Sequence, residues 1–256
     1  MIRALWSAAT GMLAQQMNVD NTSNNLANVN TNGFKKTRLE FEDLVYEAVK
    51  TAAPGQPVEV GYGVKPAATT RTFSQGNVEE TGQPLDVAIL GDGFFQILLP
   101  DNTRAYTRDG SFKLDATGRL VTAAGLPVLV EGATSLPTGA SEVQIAGNGE
   151  ITYRNGESGQ RVSGGRIRLV NFPNPAGLEA IGQNLFRATV ASGQEGAGDT
   201  GRGGLGTLQQ HYLERSNVQV VEEMVNLIVA QRAYELNAKA VQAADEMLGQ
   251  ANNLRR

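Results

Sequence analysis

Residues 2–32 read IRALWSAATGMLAQQMNVDNTSNNLANVNTN, and the spacing of their apolar residues decides the fold class. Large apolar side chains recur every seven positions at Leu5, Met12, Val19 and Leu26. The alternate row of the same heptad carries mostly small or polar residues. Because a seven-residue repeat keeps one face of an α-helix turned toward a partner, this stretch predicts a long helix with a single apolar seam.

Residues 216–256 at the C-terminal end repeat the design. A row of apolar residues again recurs every seven positions: Val220, Leu227, Tyr234, Val241 and Leu248. Ser216 or Asn217 precedes this row as a candidate N-cap. Neither seam is strong enough for a helix that stands alone, so we expect the two ends to pair with each other as a coiled coil. Two ordinary amphipathic helices packed on a globular core are the alternative.

The middle of the chain follows a different pattern. The stretch VAILGDGFFQILL (87–99) places two apolar runs around Gly91-Asp92-Gly93, which predicts a β-hairpin. Further turn signals separate other short apolar runs: Asp109-Gly110, Thr117-Gly118, Asn148-Gly149 and Asn155-Gly156. Turns at this density predict an antiparallel β-rich domain inserted between the helical ends. The predicted fold class is therefore α+β.

The residues that most catalytic and metal sites require are scarce. The chain has no cysteine and a single histidine, His211, and it contains no G-x-S-x-G nucleophile motif. The absence of cysteine excludes disulfides and thiolate metal sites. A net charge of −4 gives no indication of nucleic-acid binding. We expect no enzyme activity, no cofactor, no metal and no membrane-spanning segment.

Two patterns could be mistaken for active sites. The stretches GAGDTG from Gly196 and GRGGLG from Gly201 match G-x-G-x-x-G, but neither follows a strand and opens a helix, so a dinucleotide site is excluded on context. Several aspartates of the β region could supply a glycosidase pair, but turn chemistry explains them better. They are Asp86, Asp92, Asp101, Asp109 and Asp115.

A stripe of asparagines is the least ordinary feature of the N-terminal helix. Asn18, Asn21, Asn25, Asn28 and Asn32 are spaced three and four apart, which puts them on one face of a helix. That face lies about 150° from the apolar row at 100° per residue. We therefore expect the stripe to face away from the C-terminal helix. Because a neutral amide both donates and accepts hydrogen bonds, these side chains are candidate subunit contacts in a homopolymer.

Several long stretches of the chain resemble one family. TGMLAQQMNVDNTSNNLANVNTNGFKK (10–36) and SNVQVVEEMVNLIVAQRAYELNAKAVQAADEML (216–248) resemble the terminal signatures of bacterial flagellar rod and hook proteins. QPLDVAILGDGFFQI (83–97) and PDNTRAYTRDGSFKLDATGRLVT (100–122) resemble the distal rod members more than the hook or proximal rod members. The resemblance covers nearly the whole chain.

This resemblance implies a subunit of the flagellar distal rod, a rigid hollow shaft that transmits motor torque to the hook. The implied partners are copies of the chain itself, proximal rod subunits, hook-side axial subunits and the P- and L-ring proteins. The implied location is the basal-body rod across the periplasm, reached through the flagellar type III export apparatus without a cleaved signal peptide. A hook or proximal rod subunit is an alternative, and a secreted glycan-binding β module is an alternative of another class.

The resemblance also implies a division of the chain. Residues 1–33 and 216–256 are expected to form the inner coiled-coil domain, 34–75 a connector, 76–204 the outer β-rich domain and 205–215 a return connector. In the connector, Phe41, Leu44, Val45 and Val49 form an apolar i, i+3, i+4, i+8 set that predicts a short helix or a docking strip. Distal rod proteins of the best-known type carry a longer insertion here than residues 47–63 provide.

Overall fold

A computed structural model describes residues 2–49, 58–132, 135–137, 141–155 and 160–253. The chain divides into two compact units. The first comprises residues 1–27, 37–72 and 218–256, and the second comprises residues 28–36 and 73–217. Two helices and a β-rich middle make the chain an α+β protein, as the sequence predicts.

The described part of the first unit contains two long helices and four strands: α1 (Ile2–Ala27), β1 (Thr37–Asp43), β2 (Tyr46–Val49), β3 (Val58–Gly61), β4 (Val64–Arg71) and α2 (Val220–Asn253). The heptad rows therefore locate both helices, and α1 packs against α2. β1 pairs antiparallel with β4, and β2 pairs antiparallel with β3. The short helix predicted for the apolar set is wrong, because Phe41 belongs to β1, Val49 to β2, and Leu44 and Val45 to the segment between these strands. The alternative, a docking strip, stays a prediction. Residues 50–57 of the connector segment 47–63 lie outside the described residues.

Sixteen strands make up the second unit within the described ranges: β5 (Val78–Glu80), β6 (Val87–Leu90), β7 (Phe94–Leu98), β8 (Arg104–Thr107), β9 (Lys113–Leu114), β10 (Leu120–Val121), β11 (Val130–Glu131), β12 (Ser141–Ile145), β13 (Glu150–Arg154), β14 (Arg161–Ile167), β15 (Leu169–Asn171), β16 (Glu179–Gly182), β17 (Leu185–Arg187), β18 (Gly196–Gly198), β19 (Thr207–Gln210) and β20 (Tyr212–Glu214). A six-stranded sheet has the order β16-β17-β8-β7-β15-β18, and a four-stranded sheet has the order β11-β14-β13-β12. Three antiparallel pairs complete the unit: β5 with β20, β6 with β19, and β9 with β10.

Two apolar clusters of described residues lie in the core of this unit. The larger one includes Ile89, Phe95, Ile97, Ile167 and Leu169, all fully buried. The smaller one is aromatic and is held by edge-to-face contacts among Phe94, Tyr106, Phe172 and Phe186. Alternate residues of β7 thus enter different clusters, because successive side chains of a strand point to opposite faces of the sheet.

Strand pairing corrects one prediction and extends the β unit. The two apolar runs around Gly91-Asp92-Gly93 form β6 and β7, but they are not a hairpin: β6 pairs with β19, and β7 pairs with β8 and β15. The turns at Thr117-Gly118 and Asn148-Gly149 do join paired strands, β9 with β10 and β12 with β13. The predicted return connector 205–215 contains β19 and β20, which belong to the second unit.

Candidate functional site

Two contacts define how α1 and α2 meet in the first unit. Asn25 Nδ2 donates to Glu223 Oε2 across 3.3 Å. Two heptads earlier on α1, Gly11 lies so close to Asn237 that an added Cβ would sit 2.9 Å from Asn237 Nδ2. Moving back along α1 from residue 25 to 11 corresponds to moving forward along α2 from 223 to 237, so the helices pack antiparallel.

The innermost side chains of this helix pair are small or polar. Buried residues of α1 and α2 share that property: Ala8, Ala14, Thr22, Asn25, Glu223, Ala230 and Ala244. The predicted seam residues flank them. Two of the seam residues, Val220 and Tyr234, are exposed. The others are half-buried: Leu5, Met12, Val19, Leu26, Leu227, Val241 and Leu248. Their role as a coiled-coil seam stays a prediction.

The asparagine stripe makes contacts within its own chain. Asn25 is 1% exposed, and its Oδ1 accepts the Thr37 backbone N–H at 3.0 Å. Asn21 Nδ2 and Asn25 Nδ2 both donate to the Thr37 carbonyl at 2.9 Å. The expectation that the stripe faces away from the C-terminal helix is wrong at Asn25, because this amide bonds Glu223 of α2.

The remaining stripe members lie in other settings. Asn18 is half-buried on α1. Asn28 and Asn32 follow the end of the helix and belong to the second unit, where Asn28 Oδ1 accepts from Thr31 Oγ1 and Asn32 Oδ1 accepts from Arg215 Nη1 at 3.1 Å. Contact of any of the five asparagines with a neighbouring subunit stays a prediction.

The β1–β4 ribbon is attached to α1 near both ends. At one end, Thr37 bonds the amides described above. At the other, the Val64 backbone N–H approaches Thr10 Oγ1 at 3.4 Å, and the Arg3 guanidinium lies 5.7 Å from the centre of the Tyr62 ring. Gly63 adopts a φ of 113°, and an added Cβ would overlap Thr10 Oγ1. An isolated two-stranded ribbon is marginally stable in water, so this helix supports it.

A broad apolar surface remains open on the helices of the first unit. Among the described residues of these helices, eight large apolar side chains are more than half exposed: Trp6, Leu13, Val221, Met224, Val225, Ile228, Val229 and Leu236. Val221 alone exposes 76% of its surface. We call five of the members on α2 the outer apolar row: Val221, Val225, Ile228, Val229 and Leu236. Soluble monomers seldom expose contiguous apolar surface of this kind, and where they do it usually marks an interaction site.

A cluster of buried charged side chains lies within the second unit. Lys35 Nζ donates to Glu214 Oε1 at 2.5 Å and to the Ser74 carbonyl at 2.7 Å. Arg108 Nε lies 3.0 Å from Glu214 Oε2, and its Nη1 donates to the carbonyls of Gly91 and Gly93. Burial lowers the pKa of Lys35, while the Glu214 carboxylate acts in the opposite direction. Two cations thus share one carboxylate, and no spacing in the sequence indicates that residues 35 and 214 meet.

The candidate catalytic groups occupy structural positions. Asp101, Asp109 and Asp115 each accept a backbone N–H and a hydroxyl from the residue two positions later, which is the turn chemistry predicted for them. His211 Nδ1 lies 3.1 Å from the Gln83 carbonyl. Within the described ranges, no three His, Cys, Asp or Glu residues cluster in a way that could hold a metal. No helix among the same residues is both long and apolar enough to cross a bilayer.

Comparison with known proteins assigns this arrangement to a family. Three family models match: flagella basal body rod protein at residues 5–35, flagellar hook protein FlgE/F/G D1 domain at 88–153, and flagellar basal body rod FlgEFG protein C-terminal at 209–254. The flagellar basal-body rod protein FlgG of Borreliella burgdorferi is 52% identical over the full length of both chains. The chain belongs to the flagellar basal-body rod protein family. The FlgG proteins of Caulobacter vibrioides and Bacillus subtilis are 43% and 40% identical, with at least 99% of each chain covered.

Membership of this family makes the chain a structural subunit of the flagellar rod and not an enzyme. The first family match covers α1 from Leu5 onward and reaches Lys35, and the third begins in β19 and covers Glu214 and α2. Relatives named as rod proteins align over the whole chain, so neither a hook or proximal rod subunit nor a glycan-binding module is favoured.

Proposed function

We propose that the chain polymerises helically with copies of itself into the distal part of the rod, a rigid hollow shaft that carries the export channel and transmits motor torque to the hook. In this proposal the terminal helices pair as a coiled coil in the inner part of the shaft. The β-rich unit forms its outer part. Full-length identity of 40–52% to rod proteins named FlgG supports this position in the rod.

The proposal includes the neighbours that such a shaft meets. Proximal rod subunits lie below, hook-side axial subunits above, and the P- and L-ring proteins around it. The subunit reaches the periplasm through the flagellar export apparatus, with no cleaved signal peptide. Support for this part comes from family membership and from the sequence resemblance.

The observation that carries the proposal is the outer apolar row of α2. Val221, Val225, Ile228, Val229 and Leu236 expose apolar surface along about four turns of one helix. Burying such surface contributes about 25 cal/mol per Å². In a helical homopolymer every copy presents the same row, so each subunit can cover the row of the next through a heterologous contact.

The test places charges in this row. Val225→Asp combined with Ile228→Asp would bury two carboxylates in every subunit contact, and we expect purified protein to form no filaments by electron microscopy and sedimentation. Gln231→Asp with Gln242→Asp is the matched control, because both glutamines are exposed on the same helix outside the row. In a strain that lacks its own copy of the subunit, the control should restore basal bodies with complete rods and swimming. Filaments of normal yield from the double-row variant would refute the proposal.

A further inference from the structure

The contacts between α1 and α2 follow one rule of register. Asn25 is level with Glu223, and Gly11 is level with Asn237, so fourteen residues back along α1 correspond to fourteen residues forward along α2. Halfway between these two layers, Asn18 lies level with Ala230, which is fully buried. The facing rows of both helices therefore repeat every seven residues over these layers.

Because of this repeat, sliding α1 along α2 by seven residues would change the packing of the small residues very little. A slip in either direction would place Gly11 level with Ala230 or with Ala244, and both alanines are buried now. Close approach of the helices would be kept in each case. Packing alone therefore does not select the observed register, and a position-specific contact has to do so.

One of the two slips would even supply a new amide for Glu223. It would bring Asn18 level with this carboxylate in place of Asn25. The two amides differ in their contact with β1. Asn25 accepts the Thr37 N–H at 3.0 Å and donates to the Thr37 carbonyl at 2.9 Å, so its amide plane is fixed from the ribbon side. In the described part of the chain, Thr37 bonds the amides of Asn21 and Asn25, not that of Asn18.

We propose that Thr37, Asn25 and Glu223 form a register lock, in which the ribbon orients the Asn25 amide and this amide selects Glu223 on α2. Asn25 is 1% exposed and Glu223 is 3% exposed, so a slipped register would leave a buried amide or carboxylate without its present partner. A single buried polar pair is a known way to specify helix register at a cost in stability. The residues act as positioning residues for the helix pair that the rod subunit uses.

The chain contains no cysteine, so pairs of introduced cysteines can report the register through disulfide formation. Gly11→Cys with Asn237→Cys reports the native register, since a side chain at 11 reaches residue 237. Gly11→Cys with Ala230→Cys and Gly11→Cys with Ala244→Cys report the two slipped registers. Disulfides within single full-length chains are separated from dimers on non-reducing gels, quantified by mass spectrometry, and normalised to the same reporter in the parent chain.

Three backgrounds carry these reporters. Asn25→Ala with Glu223→Ala, the double-alanine background, removes the lock and makes the facing rows uniformly small at both positions. Asn24→Ala with Glu222→Ala is the matched control, with the same residue types at exposed neighbouring positions. Glu223→Gln leaves Asn25 and its two bonds to Thr37 unchanged, and the new side-chain amide oxygen can still accept from Asn25 Nδ2.

We expect the native-to-slipped ratio to fall about tenfold in the double-alanine background, with the control and the Glu223→Gln background close to the parent. An unchanged ratio in that background with intact far-UV circular dichroism would overturn the proposal, as would an equal fall in the control. If the double-alanine background loses its helices, the Glu223→Gln background decides: a native ratio with intact helices supports the lock, and loss of either overturns it.

Discussion

The buried charge cluster of the second unit permits a prediction of rank order. Among the described residues, Glu214 is the one anion that Lys35 and Arg108 share, and both of these cations are buried. Glu214→Gln keeps the size of the side chain but leaves two cations in the interior without a counter-charge. Removing one partner of a buried ion pair costs about 3–5 kcal/mol, and we expect the free energy of unfolding of this unit to fall by about that amount.

Lys35→Met should cost less, although it also removes one partner. It leaves Glu214 and Arg108 as a balanced pair, and the Gly76 backbone N–H still donates to Glu214 Oε1 at 2.9 Å. The Ser74 carbonyl loses its ammonium donor but still accepts from Asn217 Nδ2 at 3.2 Å, so this loss costs about 0.5–1.5 kcal/mol, while the burial of one charge is relieved. Glu214→Gln should therefore lower the free energy of unfolding of the second unit more than Lys35→Met does.

Hydrogen exchange of strand amides in β5–β8 and β20 measures this order directly, because it reports the second unit alone. The fluorescence of Trp6 is unsuitable, since the only tryptophan lies in α1 of the first unit. Glu179→Gln is the control: Glu179 pairs with Arg187 at 2.8 Å on the surface, and its loss should change stability by less than about 0.5 kcal/mol. Equal costs for the two core variants, or a larger cost for Lys35→Met, would refute the charge-balance reasoning.

Three further outcomes are expected. Burial lowers the pKa of Lys35, so at pH values between the folded-state pKa and 10.5 the unfolded chain binds more protons than the folded chain. The urea midpoint of the second unit should therefore rise as the pH rises toward 10.5, and Lys35→Met should abolish that rise. Hydrogen bonds from Thr117 and Arg119 hold the pKa of Asp115 below its ordinary 3.8, and Thr117→Val should raise its NMR titration midpoint toward that value. Gly63→Ala should release the ribbon from Thr10 and increase proteolysis between β3 and β4, whereas Gly82→Ala, also at a positive φ but with open space around it, should leave that cleavage unchanged.

Local patterns in the sequence predicted local structure. The heptad rows located α1 and α2, because a repeat of seven is a property of neighbouring residues on one helix. Turn chemistry at Asp101, Asp109 and Asp115 was equally local, since each carboxylate bonds the residue two positions later. Features of this kind need no knowledge of where the rest of the chain lies.

Contacts between distant segments were not predictable in the same way. β6 pairs with β19 rather than with the adjacent β7, and a turn-like Gly-Asp-Gly cannot reveal that choice. Glu214 lies 179 residues from Lys35, and neither position stands out in the sequence as a buried charge. The family resemblance supplied the function instead, because long motifs identify relatives without any account of the contacts.

The prediction that the asparagine stripe faces away from α2 is wrong at Asn25 for a physical reason. The prediction considers only the large apolar residues of the helix contact, whereas a close antiparallel approach also favours small residues such as Gly11 and Ala230. An amide suits the same face because it donates and accepts at once. Asn25 uses its Oδ1 for the Thr37 N–H, and its Nδ2 for the Thr37 carbonyl and Glu223. Leucine could not make these bonds, and aspartate has no donor for the carbonyl or the carboxylate. A helix that must hold a strand on one side and a second helix on the other therefore has a reason to place asparagine at this position.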